Sequence, residues 1–299
     1  MFLVFLLLNS IDFVDSMNRA LLLIQGGLGN QLLQLCLASS WCIDNSIPLS
    51  VDVSLFSSRS RYLRGVTRRE ISPLVEALCS TVSLNNSIIP RVAFRLGCFS
   101  DELYDGALSK VSTFWGPFLK GDGVSRLAFD PRHSPFWSRV VHFLFLFCWP
   151  AGMECKFDIV AHVRGTDFAS GRVLSRTGLY PMSLSYYISA IDLAASRLNS
   201  FDPSILIVTD APEFVREQLI PILRYTNIVV SSASPQLDML HLICAPVMII
   251  SNSSFSALSA HLSAVAGYSA SVICPRFWFH PSYSGSCRGD LRSNTWIHI

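Results

Sequence analysis

Apolar runs alternate with helical patterns along most of the chain. The first such unit begins with an apolar run over 20–25, passes through a glycine-rich turn into a helical pattern over about 31–45, and ends in a second apolar run over 47–53. A short aliphatic run that ends in glycines and leads into a helix is typical of a β-α-β unit. The sequence therefore predicts two parallel strands joined by a helix at the start of the fold.

The same alternation returns after residue 156, where it is more regular. Strands are predicted at 157–163, 205–209, 227–230, 247–250 and 272–274, and helices at about 182–199, 212–223, 236–244 and 254–266. Strands that alternate with helices of about ten residues or more predict a parallel sheet with right-handed crossovers. The stretch 54–150 has no clear period, and we assign no elements there.

These two regular stretches predict an α/β protein of the GT-B type, with two Rossmann-like domains whose parallel sheets face a cleft. We place the domains at 17–152 and 153–299, with 1–16 as an N-terminal extension before a second methionine, Met17. The hydrophobic share of 51% and the mean hydropathy of +0.42 fit strands that are covered on both faces.

The apolar start Met1–Leu8 is far shorter than the ~20 residues of a spanning helix, so no transmembrane helix is predicted. The expected location is the cytoplasm, with peripheral contact at the inner face of a membrane as the alternative. The net charge of +2 gives no sign of a nucleic-acid partner. Nine cysteines without a Cys-x-x-Cys pair predict buried free thiols.

The first candidate site is the turn Gln25–Gln31, where glycines stand between a strand and a helix. Such a turn brings the backbone close to a ligand and leaves N–H groups for an anion. Two alternatives stay open here. The glycines can serve a tight turn, or Gly27, Gly29 and Asp52 can belong to a dinucleotide fingerprint, although Leu32 stands in place of its third glycine.

The second candidate is the segment His162–Phe168 at the end of a predicted strand. On an extended backbone His162 and Arg164 point to the same side. A guanidinium there can grip a diphosphate with two hydrogen bonds, and Asp167 can orient it or hold a ligand hydroxyl. A structural Arg–Asp pair is the alternative.

Two further strand ends carry polar residues. Asp210 ends a predicted strand, and either binds a ligand or caps the helix that begins near Pro212. Ser251–Ser256 leads from a buried strand into a helix, and its N–H groups and hydroxyls at a helix start suit a phosphate. Ordinary serine capping is the alternative. The chain has no Asp-x-Asp and no cluster with metal-ligand spacing, so no metal is expected.

Together these segments resemble the α-1,2-fucosyltransferases of glycosyltransferase family 11, including their bacterial members. Gly26–Leu32 is similar to the family's G-G-L-G-N-Q start, and His162–Phe168 to the H-x-R-R-x-D-[YF] signature shared with α-1,6- and protein O-fucosyltransferases. Asp210 falls where the family has Ser-Asp, and Ser251–Ser256 resembles S-N-S-[ST]-F-S. The chain differs in having Gly165 in place of the second arginine.

The resemblance implies an inverting, metal-independent transfer of L-fucose from GDP-fucose to a glycan hydroxyl, with the galactose 2-OH as the expected acceptor. GDP would lie in the C-terminal domain, and no cofactor besides this donor substrate is implied. The implied donor-binding residues are Arg164, His162, Asn252, Ser253, Ser254, Asp210, Gly27, Gly29, Asn30 and Gln31. The implied catalytic residues are Arg164, His162 and Asp167. Two other hypotheses remain, a Rossmann-type NAD(P)-dependent oxidoreductase and an inactive relative that binds sugar nucleotides.

Overall fold

The computed structural model describes two compact units of the chain, Met1–His133 and Ser134–Ile299. Within them it covers residues 20–24, 26–52, 74, 78, 82–83, 101–103, 108–113, 116–120, 125–149, 156–165, 179–180, 182–279 and 290–299. The division lies before the helix Ser134–Cys148, whereas the sequence placed the domain boundary after residue 152.

The first unit contains a six-stranded sheet of mixed direction. Its strands are β1 (Ala20–Leu23), β2 (Leu49–Asp52), β3 (Val82–Ser83), β4 (Asp101–Leu103), β5 (Leu108–Thr113) and β6 (Gly116–Lys120), in the order β3-β2-β1-β6-β5-β4. The predicted parallel arrangement holds for β1, β2, β3 and β6. Strand β5 is antiparallel to both of its neighbours, β4 and β6, because the links from Leu103 to Leu108 and from Thr113 to Gly116 are far too short for a crossover.

Helix α1 (Leu28–Asp44) joins β1 to β2 as the sequence predicted. Most of its residues are buried, including Leu32, Leu33 and Leu37, which are completely enclosed. A helix that is buried nearly all round lies within a core rather than at its edge. Its N-terminus therefore has a fixed place beside the end of β1.

The second unit contains a six-stranded sheet that is parallel throughout. Its strands are β7 (Ile159–Val163), β8 (Ile205–Thr209), β9 (Ile228–Val230), β10 (Val247–Ile249), β11 (Ser271–Cys274) and β12 (Ile297–His298). The order is β12-β11-β10-β7-β8-β9. The chain thus winds outward from β7 to β9, returns to place β10 on the other side of β7, and winds outward again. This is the doubly wound Rossmann order, with its switch point between β7 and β10.

The described residues of this unit form four regular helices, namely α2 (Ser134–Cys148), α3 (Leu184–Leu198), α4 (Pro235–Cys244) and α5 (Ser254–Val265). The last three match the prediction closely. The helix predicted at 212–223 is broken into an α turn, a π turn and a 3₁₀ turn. Pro221 explains the break, since it lacks an N–H and its ring clashes with the carbonyl four residues earlier.

The core of the second unit lies on both faces of its central strands. All five residues of β7 are buried, and so are all three of β10. Helix α2 packs against α4 and α5. In the described part of the chain no helix has the length and apolar character needed to cross a bilayer. Among the same residues Cys36, Cys42, Cys244 and Cys274 are buried free thiols and Cys148 is a half-buried one, as predicted.

Candidate functional site

The candidate site lies where β7 and β10 end side by side. The two strands pair in parallel, with Ile159 opposite Val247 and Ala161 opposite Ile249. Their carboxyl ends therefore meet at one edge of the sheet, and Arg164 follows one strand while Ser251 follows the other. In open parallel sheets the ligand binds at this edge, at the switch point.

His162 and Ser251 are in direct contact there. His162 Nδ1 lies 2.8 Å from Ser251 Oγ, across 89 residues of sequence, and both side chains are buried. The ring of Phe255 covers the imidazole at 5.3 Å between centroids. Burial lowers the pKa of His162 to about 4, the Arg164 guanidinium lowers it too, and the Asp210 carboxylate opposes them. His162 is thus a neutral hydrogen-bonding group at neutral pH.

Arg164 is half-buried and lies at the start of α5. Its Nη1 is 3.5 Å from Ser253 Oγ. The same serine caps α5 by accepting a hydrogen bond of 3.3 Å from the N–H of Phe255. A guanidinium thus stands beside a helix N-terminus, which carries partial positive charge of its own. The sequence assigned Arg164 and the start of this helix to the same diphosphate, and the two lie side by side, with Ser254 as the first residue of the helix.

Asn252 ties two other segments to this edge. Its amide nitrogen donates to the carbonyl oxygens of Trp278, at 3.2 Å, and of Tyr180. Its Oδ1 is buried and has no hydrogen-bond partner in the described part of the chain. The N–H groups of the Asn252 side chain are therefore used within the protein, whereas the sequence had assigned this residue to the donor. The remaining oxygen can only accept, so it suits a ligand hydroxyl or N–H rather than a phosphate oxygen.

Asp210 holds the backbone of the β7 segment. Its Oδ1 accepts a hydrogen bond of 2.7 Å from the N–H of Gly165. The hypothesis that Asp210 caps the next helix is wrong, since Ala211 occupies that position and no side chain caps the turn. Asp210 therefore fixes the residue that directly follows Arg164.

The glycine-rich turn lies in the first unit, and a hydrogen bond joins its two ends. Gly26 adopts a φ of +82°, while Gly27 is extended and forms the N-cap of α1. Gly29 and Asn30 lie in the first turn of the helix. Gln31 is buried, and its Nε2 donates to the carbonyl oxygen of Gly26 at 2.9 Å. The glycine that needs left-handed backbone is thus Gly26, and the Gln31 amide is engaged within the turn.

Parts of the sequence hypotheses lie outside the described parts of the chain. These are Gln25, the segment 166–168 with Asp167, and the side chain of Asp52. The sequence also did not single out Tyr180 or predict the partners that Asn252 holds. The carbonyl oxygens that Asn252 contacts leave no residue pattern, because every residue has one. Among the described residues, no group of three or more His, Cys, Asp or Glu side chains could hold a metal ion.

No protein-family model matches the chain, and no curated protein matches it in sequence. Several solved structures are similar to it. A mutant of Arabidopsis thaliana FUT1 in complex with GDP has a TM-score of 0.42 and 10% identity, over 85% of this chain and 70% of that one. The fucosyltransferase NodZ from Bradyrhizobium has a TM-score of 0.40 and 13% identity, over 81% of this chain and 91% of that one. A family 9 glycosyl transferase from Veillonella parvula has a TM-score of 0.40 and 10% identity, over 95% of this chain and 87% of that one. Scores at this level carry no weight for function, which rests on the residues of the site.

Proposed function

We propose that the chain is an inverting, metal-independent glycosyltransferase that moves L-fucose from GDP-fucose to a hydroxyl of a glycan. Membership of glycosyltransferase family 11, and the galactose 2-OH as acceptor, are part of this proposal because the motifs resemble that family. The carrying observation is the contact of His162 with Ser251, joined by that of Arg164 with Ser253. Two motifs 89 residues apart in sequence meet at the switch point of a Rossmann-type sheet.

The arrangement suits stabilisation of a leaving diphosphate. In the proposed transfer the bond between the sugar C1 and the diphosphate oxygen breaks, and a bond from C1 to the acceptor oxygen forms on the opposite face. The acceptor hydroxyl loses its proton, and the diphosphate gains negative charge as it leaves. Arg164 and the N-terminus of α5 would stabilise that charge, and preorganised groups of this kind lower a barrier most.

His162 has a different part in this proposal. Because its pKa is lowered to about 4, it supplies no positive charge at neutral pH. It instead positions Ser251, and with it the loop that leads into α5. The unpartnered Oδ1 of Asn252 would accept a hydrogen bond from a donor hydroxyl or N–H group. Asp167 is the carboxylate that the motif offers as a base for the acceptor hydroxyl.

The test combines binding with turnover. Thermal shifts should be measured with GDP-fucose, GDP, GDP-mannose, UDP-galactose and NADP, and a ligand at 100 times its Kd should add roughly 2.7 kcal/mol. We expect stabilisation by the GDP compounds, followed by release of GDP when lactose is added with GDP-fucose. Stabilisation by NADP alone would favour the oxidoreductase. Tight binding of GDP-fucose without transfer to any glycan would favour the inactive relative.

A further inference from the structure

We propose that Arg276 is a second cation for the donor diphosphate, on the opposite side of the α5 N-terminus from Arg164. The inference rests on the proposed function, since it needs a ligand with a diphosphate at the switch point. It concerns a residue that follows β11, the strand on the outer side of β10. The chain has glycine at position 165, so the β7 segment itself supplies one arginine.

The sheet places Arg276 at the same edge as the site. Strand β11 pairs in parallel with β10, with Ile249 opposite Ile273, and the N–H of Ile250 donates to the carbonyl of Ile273 at 2.9 Å. Asn252 follows Ile249, and Arg276 follows Ile273, by the same number of residues, so the two lie at matching positions beyond the strands. Neighbouring strands lie ~4.8 Å apart, so the ends of β7 and β11 are ~10 Å apart with the start of α5 between them. Two arginine side chains can close that gap around a diphosphate.

The backbone of Arg276 is held from both sides. Its N–H donates to the carbonyl of Ile299 at 2.6 Å, and its carbonyl accepts a hydrogen bond from Arg292. Arg292 also donates to the carbonyl of Pro275 at 2.9 Å and forms a largely buried ion pair with Asp290 at 2.5 Å. The charge of Arg292 is thus offset by Asp290. Arg292 therefore fixes the position of the Arg276 backbone.

The guanidinium of Arg276 itself remains available. The side chain is exposed, and its Cζ lies 5.7 Å from the centroid of the Phe277 ring. The Phe277 ring is 6.0 Å from that of Tyr180, whose carbonyl oxygen Asn252 holds. Within the described part of the chain no carboxylate forms an ion pair with Arg276. An arginine with a fixed backbone and no counter-charge beside an anion site is suited to grip phosphate oxygens.

The test measures binding of two probes, inorganic diphosphate and GDP, to the full chain by calorimetry without divalent ions. Arg276→Ala should weaken both by roughly tenfold to a hundredfold, as expected for one charged hydrogen-bonding partner. Affinity for guanosine should stay as in the wild type. Arg197→Ala, at an exposed arginine in the last turn of α3, is the matched control and should change neither probe. Arg276→Gln provides a second variant if the alanine protein does not fold.

The outcomes separate this inference from the proposed function. Unchanged affinity for both probes in a folded Arg276 variant would overturn the inference and leave the fucosyltransferase proposal standing. An equal loss for guanosine would also overturn it, because Arg276 would then serve the base or the fold. If the affinity for inorganic diphosphate depends on Arg276 but the protein shows no preference for GDP, the inference is supported and GDP-fucose is excluded as the donor. A wild-type protein that binds no diphosphate would overturn both.

Discussion

Gly165 and Ala211 are packed so closely that position 165 has no room for a Cβ atom. A Cβ at position 165 would lie 2.5 Å from Ala211 Cβ and 3.6 Å from Phe214 Cδ1. Gly165 follows Arg164 after β7, and Ala211 follows Asp210 after β8. A second arginine at position 165 would therefore clash with Ala211, which follows the neighbouring strand β8.

Gly165→Ala should consequently destabilise the protein by about 1–3 kcal/mol, as overpacking usually does. Gly165→Arg should be worse, and it should not improve GDP binding, because the new side chain has to displace Ala211 before it can reach a phosphate. Urea denaturation measures the first effect and calorimetry the second. Adding Ala211→Gly should recover part of the lost stability, and a purely additive double variant would show that the two positions do not interact.

Arg164→Ala should reduce transfer more than any other single substitution in the β7 segment. The loss of one preorganised stabiliser of charge costs roughly 3–4 kcal/mol in the barrier, or about 10²–10³ in rate. Arg164→Lys should recover little, because an ammonium keeps the charge but lacks the planar fork. Steady-state kinetics with GDP-fucose gives the comparison.

A structural role for Arg164 makes a different forecast. An arginine that only braces the loop against Ser253 would lower the melting temperature when removed and would spare turnover. A folded Arg164→Ala protein with near-normal transfer would therefore contradict the donor-site assignment. The exposed arginine of the control variant Arg197→Ala should leave both quantities unchanged.

The strands and helices of the second unit could be predicted because their apolar patterns are strong. Strand Ile205–Thr209 has the predicted bounds, and α5 begins at Ser254 as expected. The broken helix near Pro221 was missed, although the proline itself was the available signal. In the first unit the strands β3 to β6 carry no clear alternation, so neither their positions nor their antiparallel members could be inferred.

The sequence allowed us to predict which strand ends meet at the candidate site, but it did not predict all the contacts that their side chains make there. Parallel pairing of β7 and β10 brings His162 to Ser251, and strand ends of the predicted type made this meeting expected. The use of Asn252 as a tie between Tyr180 and Trp278 was not predictable, because its partners are main-chain oxygens. The same holds for Asp210, whose partner is the N–H of Gly165.

Removal of divalent ions should leave transfer unchanged. The chain has no Asp-x-Asp, and the proposed diphosphate site is built from Arg164, Arg276 and the start of α5. The measurement is the rate of GDP release after dialysis against EDTA, with Mg²⁺ and Mn²⁺ added back in parallel. A rate that vanishes with EDTA and returns with either ion would show that a metal, rather than arginine, stabilises the leaving group.

Protonation of His162 should make the protein less stable in mild acid. Because burial lowers its pKa from about 6.5 to about 4, the folded state favours the neutral ring. The neutral ring therefore contributes to the free energy of unfolding in full above pH 6.5. This contribution, about 3 kcal/mol, is lost as the pH falls toward 4. Asp238 acts oppositely in this range, since burial raises its pKa to about 6 and the folded state then gains stability on protonation.

A comparison of variants separates these contributions. His162→Gln keeps a partner for Ser251 but does not titrate, so its free energy of unfolding should depend less on pH between 6.5 and 4 than that of the wild type. The difference between the two proteins at pH 8, where the ring is neutral in both states, gives the packing cost alone. Asp238→Asn should change the profile in the other direction, with a steeper loss of stability in acid. Urea titrations at several pH values provide the measurement. Parallel profiles for the wild type and His162→Gln would mean that the imidazole is not held neutral against Ser251.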